Sequence, residues 1–130
     1  MAGVIALDAS IVIALLENED PHHEAAKAFL ATSASESWII NVLTLAEVLV
    51  APARVGRLQQ AQSVLDLLNI HTDSLAADQA PELASLRAET GLKMPDACVL
   101  LTAVNRSASL ATFDTKLAAA ADRLGVALRL

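Results

Sequence analysis

The chain has 130 residues, which suits one domain with a substantial core, and a single cysteine, Cys98, which excludes an intrachain disulfide and fits a reducing cytoplasm. Hydrophobic residues make up 55% of it, but no uninterrupted apolar run is long enough for a membrane span, so the expectation is a soluble protein. A net charge of −6 excludes holding nucleic acid by a broad basic surface, and two Phe, one Trp and no Tyr argue against a base-stacking platform of the single-strand-binding type.

The first apolar run has no Lys or Arg before it and carries Asp8 within it, so it reads as a strand rather than a signal peptide. In chain order the predicted elements are a strand over 4–7, helices over 10–19 and 22–32, a strand over 38–42, helices over 44–54 and 58–68, and a strand over 70–72. A helix over 77–90, one over 95–105, a strand over 110–112, a helix over 115–124 and a strand over 126–130 complete the series. Gly91 and Gly125 fall where helices should end, and Pro95 suits a first helical turn. Short apolar strands alternating with helices predict an α/β fold built on a mainly parallel sheet, with residues 1–130 as one domain.

In a parallel sheet the strand C-termini and the following helix N-termini share one edge, where sites form. Four acids fall there by position: Asp8 after the first strand, Glu47 in the first turn after the second, Asp96 at a helix start, and Asp114 after the fourth strand. Each has a plainer explanation. Asp96 and Asp114 suit a helix N-terminus, with Asp114 a possible cap, while Ser10 is the expected cap beside Asp8. Glu47, among Leu45, Ala46, Val48 and Leu49, reads as a costly buried carboxylate. Four carboxylates gathered without a counter-charge oppose one another's ionisation, and a bound cation resolves the conflict. Oxygen ligands suit Mg²⁺, or Mn²⁺ in its place, rather than zinc. Ser10 and Thr112 each stand two residues from an acid and could orient it. His22 and His23 read as loop or capping residues, Cys98 as core filler, and Lys93 and Lys116 as surface residues that could also meet phosphate.

The ordered segments "LDASIVIALL", "TLAEVL", "TGLKMPDACVLLTA" and "LATFDTKL" resemble PIN domains, in particular toxins of the VapC type from bacterial toxin–antitoxin pairs. The resemblance spans nearly the whole chain. It implies a three-layer fold with a central sheet of about five strands, and a Mg²⁺-dependent ribonuclease whose acidic residues are Asp8, Glu47, Asp96 and Asp114, with Ser10 and Thr112 as accessory hydroxyls. It also implies a homodimer and a VapB-type antitoxin that covers the site; the segment "LQQAQSVLDLL" offers apolar surface for such contacts, as a core-facing helix would. Haloacid dehalogenase phosphatases need a second Asp where this chain has Ser10, and receiver domains need an acid next to Asp8. The remaining alternative is a PIN-like binding module that does not cleave RNA.

Overall fold

The structure, a computed structural model, describes residues 3–130. The elements are β1 (Val4–Leu7), α1 (Ala9–Leu16), α2 (His23–Thr32), β2 (Ser37–Asn41), α3 (Val42–Arg54), α4 (Leu58–Leu67) and β3 (Ile70–Asp73). A 3-10 turn over Ala77–Gln79 then leads into α5 (Ala80–Thr90), followed by α6 (Met94–Asn105), β4 (Ser109–Ala111) and α7 (Thr115–Arg123).

The four strands form one parallel sheet in the order β3-β2-β1-β4. Period-two alternation splits their apolar residues between two cores. Ile5, Leu7, Ile40 and Ala111 pack with Ile11, Val12, Phe29, Leu30, Val48 and Leu65, so α1 to α4 cover that face. Ala6, Ile39 and Leu110 pack with Leu92, Val99, Leu100, Ala103, Leu117, Ala120 and Ala121, so α6 and α7 cover the other, with Leu86 of α5 against them. Both faces of β1, β2 and β4 are covered, which is why those strands read as apolar runs, while the edge strand β3 leaves His71 and Thr72 exposed. Chain order runs outward from β1 through β2 to β3, then returns to the far side of β1 as β4. The direction of winding reverses there, and the crevice beyond the C-termini of β1 and β4 is the site-forming position of such a sheet.

Several boundaries differ from the sequence reading. The fifth strand, expected over 126–130, is reduced to one parallel bridge between Leu110 and Leu128. The Leu110 N–H donates to the Ala127 carbonyl (2.8 Å) and its carbonyl accepts from Arg129 N–H (2.9 Å), and a three-residue β4 gives the tail little more to pair with. α1 stops at Leu16 because Glu17 turns extended, where a run of acids would oppose the negative end of the helix dipole. α5 starts only at Ala80, with Pro81 in its first turn, since a proline deeper in the helix would break its ladder. The predicted stops hold at Gly91 and Gly125, with φ of 69° and 75°, a conformation that costs a glycine little.

Candidate active site

Asp8 is the centre of the edge. It is 4% exposed and caps α1 itself, its Oδ1 accepting from Ile11 N–H at 3.3 Å, so the cap is Asp8 and not Ser10 as the sequence suggested. Ser10 instead donates its hydroxyl to Asp8 Oδ1 at 2.6 Å, and Thr112 donates its hydroxyl to Asp8 Oδ2. These hydroxyls accept in turn: Ser10 Oγ from Phe113 N–H (3.0 Å) and Thr112 Oγ1 from Asp114 N–H (2.9 Å). One carboxylate thereby ties the end of β1 to the end of β4, about a hundred residues apart in the chain. Burial pushes the Asp8 carboxyl above its ordinary range; the three donors oppose this, and the charge of Asp114 adds to it.

Asp114 caps α7, accepting from Lys116 N–H (2.9 Å) and Leu117 N–H (3.1 Å), so the plainer reading of this residue is realised in full. Asp96 stands in the first turn of α6. Its carboxyl is raised by burial, then by the charges of Asp114 and Asp8, against the lowering effect of Lys93 and Lys116. Lys116 also donates to the Gly91 carbonyl at 3.3 Å, which holds the start of α7 against the approach to α6.

Glu47 departs from expectation twice. The helix begins at Val42, which puts Glu47 in its second turn, and Glu47 lies exposed while Val48 turns into the core. The argument from a buried glutamate therefore fails. Its carboxyl is nevertheless raised, by desolvation first and then by Asp96 and Asp8. It lines an apolar groove of about 330 Å³ with Leu43, Ala46, Val50, Met94 and Pro95. Asp8, Glu47 and Asp96 thus each feel the charge of another acid across the edge, and none of the four acids forms an ion pair among the described residues.

Two polar features escaped the sequence reading. Asn41, placed within a strand there, is 2% exposed and caps α3 through Leu43 N–H (2.8 Å). Its Nδ2 donates to Thr102 Oγ1 (3.0 Å), whose hydroxyl donates to the Cys98 carbonyl (2.8 Å). Asn41 therefore joins the helix carrying Glu47 to the helix carrying Asp96. An Asn just before an apolar helical run was the available signal; the contact with Thr102 left none. The second is His22, whose ring stacks on Phe113 beside Asp114. His22 is the N-cap residue of α2 but makes no side-chain cap, and His23 Nδ1 pairs with the Ala14 carbonyl at 2.7 Å. Cys98 is fully buried, as core filler should be.

The donors at this edge are carboxylate and hydroxyl oxygens, which fit a hard divalent cation, and mutual repulsion gives them reason to bind one. Among the described residues no group of three His, Cys, Asp or Glu side chains is already gathered as a finished ligand set, so binding would require side-chain adjustment. Of the candidate contact segment, Ala61 and Leu65 enter the core, while Leu58, Val64 and Leu67 stay exposed. No helix among the described residues is long and apolar enough to cross a membrane.

A parallel α/β sheet with acids at its switch point defines the class of the molecule. Residues 5–123 match the PIN domain family, and the chain belongs to that family. A search of curated proteins finds no significant match. Among solved structures, the chain is similar to one in a toxin–antitoxin complex from Klebsiella pneumoniae, with 28% identity over 86% of this chain and 88% of that one and a TM-score of 0.72. FitAcB from Neisseria gonorrhoeae is 25% identical over 97% of this chain and 96% of that one, with a TM-score of 0.70. VapC20 of Mycobacterium tuberculosis, a toxin that cleaves the sarcin–ricin loop, shares the fold at a TM-score of 0.75, with 20% identity over 89% of this chain and 94% of that one.

Proposed function

We propose that the chain, a single domain over residues 1–130, is a divalent-cation-dependent ribonuclease and the toxin of a toxin–antitoxin pair. The observation that carries this reading is the set of acids at the switch point, Asp8, Glu47 and Asp96 raised above their ordinary range and Asp114 adding charge, with no arginine paired to them among the described residues and only Lys93 and Lys116 easing Asp96. Asp8, Glu47, Asp96 and Asp114 are the proposed catalytic and metal-holding residues, and Ser10 and Thr112 the supporting ones. A cation held there would neutralise charge on the phosphoryl oxygens and make water a better nucleophile at neutral pH. The two hydroxyls fix both oxygens of Asp8, so its orientation is prepaid before substrate arrives. Glu47 and Asp96, whose proton affinity is raised, suit acceptance of a proton from the attacking water. Water attacks phosphorus in line, the P–O ester bond opposite it breaks, and the departing oxygen takes a proton from solvent. Lys93 and Lys116 stand close enough to act on Asp96 and can hold a flanking phosphate.

The partners under this reading are RNA, a VapB-type antitoxin that covers the site, and a second copy of the chain, all in the cytoplasm. The toxin–antitoxin complex among the structural neighbours supports the antitoxin. So does the apolar groove beside Glu47, which offers an inhibiting segment a place next to the acids. The test is to sequence RNA 5′ ends after brief expression of the parent and of Asp8→Asn, and to repeat the cleavage with purified protein in Mg²⁺ and in chelator. New ends that appear with the parent alone support the reading. RNA bound without cleavage would favour the non-catalytic binding module.

A further inference from the structure

We propose that His22 and Phe113 form a shelf on which an unpaired RNA base stacks beside the scissile phosphate, a reading that rests on the ribonuclease function above. The chain has few rings to spend. Phe29 is buried in the core and Trp38 packs against it from β2. Phe113, half-buried, also packs against that core, but it lies at the acidic edge, between Thr112, which holds Asp8, and the cap Asp114. The His22 ring lies flat over it, with centroids 4.2 Å apart and planes 11° from parallel.

Both partners are held before any ligand arrives. Phe113 N–H donates to Ser10 Oγ (3.0 Å), and that hydroxyl donates to Asp8 (2.6 Å), so the position of the shelf is set by the same hydrogen bonds that set the acid. On the other side, His22 N–H donates to Asp20 Oδ1 (2.8 Å), and the next residue is anchored by His23 Nδ1 on the Ala14 carbonyl (2.7 Å). A loop ordered in advance spends less on binding than one that must be fixed by the ligand.

Anchoring alone does not account for the arrangement, because a leucine would fill the space over Phe113 without leaving a polar aromatic plane in solvent. The His22 side chain is 55% exposed while already stacked, so part of the ring remains open to a further stacking partner. Charge supplies the need. With a net charge of −6 and acids gathered at the edge, backbone phosphates are repelled over much of this surface, and stacking binds a nucleotide without using charge. The occupant is therefore an unpaired base of single-stranded or looped RNA flanking the cut, held by its face rather than its edge.

The probe is a short synthetic RNA spanning the cut mapped by 5′-end sequencing, together with versions carrying an abasic ribose at each flanking position in turn. Parent, His22→Ala, His22→Leu and His22→Tyr are compared for KM and kcat. On intact RNA, His22→Ala should raise KM roughly tenfold with kcat little changed, as loss of one base–aromatic stack does. At one abasic position parent and His22→Ala should converge, and His22→Tyr should restore the parent KM on intact RNA where His22→Leu does not. Equal loss on intact and on every abasic RNA, rescue by leucine as good as by tyrosine, or an unchanged KM in His22→Ala would each overturn the shelf and leave the nuclease standing. A parent that cuts no RNA overturns both readings, and the parent reaction alone tells the two failures apart.

Discussion

The chain places its carboxylates in two opposite settings. Away from the site, Asp73 receives a bidentate Arg106 (2.7 and 2.8 Å) and Glu36 accepts from Arg129, and both carboxyls are held below their ordinary range, chiefly by those hydrogen bonds. At the edge beyond β1 and β4, Asp8, Glu47 on α3 and Asp96 on α6 are raised, and among the described residues no arginine pairs with them. Two arginines serve exposed pairs, while among the raised acids only Asp96 is eased by positive charge, from Lys93 and Lys116. Stability does not explain that distribution; the proposed function, in which the acids take a cation from solution, would.

The largest effect should come from Asp8→Asn, which removes the central charge and leaves the shape. RNA cleavage should fall by about two orders of magnitude or more, the scale expected when a group acting on developing charge is lost. Thr112→Val frees one oxygen of Asp8 and deprives Asp114 N–H of its acceptor. Its cleavage should drop by roughly 10- to 100-fold, and denaturant unfolding should show a loss of about 1–3 kcal/mol. Asn41→Ala removes the α3 cap and the link to α6, and urea titration should find it about 1–2 kcal/mol less stable.

The pH dependence in chelator sharpens the contrast through its sign. Asp8, Glu47 and Asp96 bind protons more tightly folded than unfolded, so their ionisation opposes folding, and stability should fall as pH rises from the ordinary carboxylate range through their raised values. Glu36 and Asp73 act oppositely: their contribution is present above the ordinary range and lost as pH falls through their lowered values. The urea midpoint measured against pH should therefore decline less steeply in Asp8→Asn than in the parent. The smallest effect belongs to Arg106→Ala, whose exposed pair is screened by solvent; cleavage should be unchanged and the melting temperature only slightly lower.

What could be read in advance was what chain order and period dictate. Strand ends followed by helix starts put Asp8 and Asp114 at one edge, whereas Asp96 begins a helix that follows α5 and reaches that edge through packing, and the covered inner strands were legible as apolar runs. Details set by a partner distant in sequence were not. Asn41 caps α3 from the end of β2 and so starts that helix two residues before the predicted Thr44, which puts Glu47 in its second turn, and Glu47 lies on the exposed side. The tail at 126–130 reads as a strand from its own residues, but β4 offers it one residue to bridge. The stack of His22 on Phe113 joins two loops about ninety residues apart, and neither ring announces the other.

The central claim, that these acids form a cation site, is tested most directly by the melting temperature of the parent and Asp8→Asn in chelator and across a Mg²⁺ titration. In chelator the variant should melt at or above the parent, because one like-charge repulsion has gone. Mg²⁺ should then raise the parent, by about 2.7 kcal/mol of added stability at 100 times the dissociation constant if only the native state binds, and raise the variant much less. Equal metal-induced shifts in the two proteins, or none in either, would contradict it.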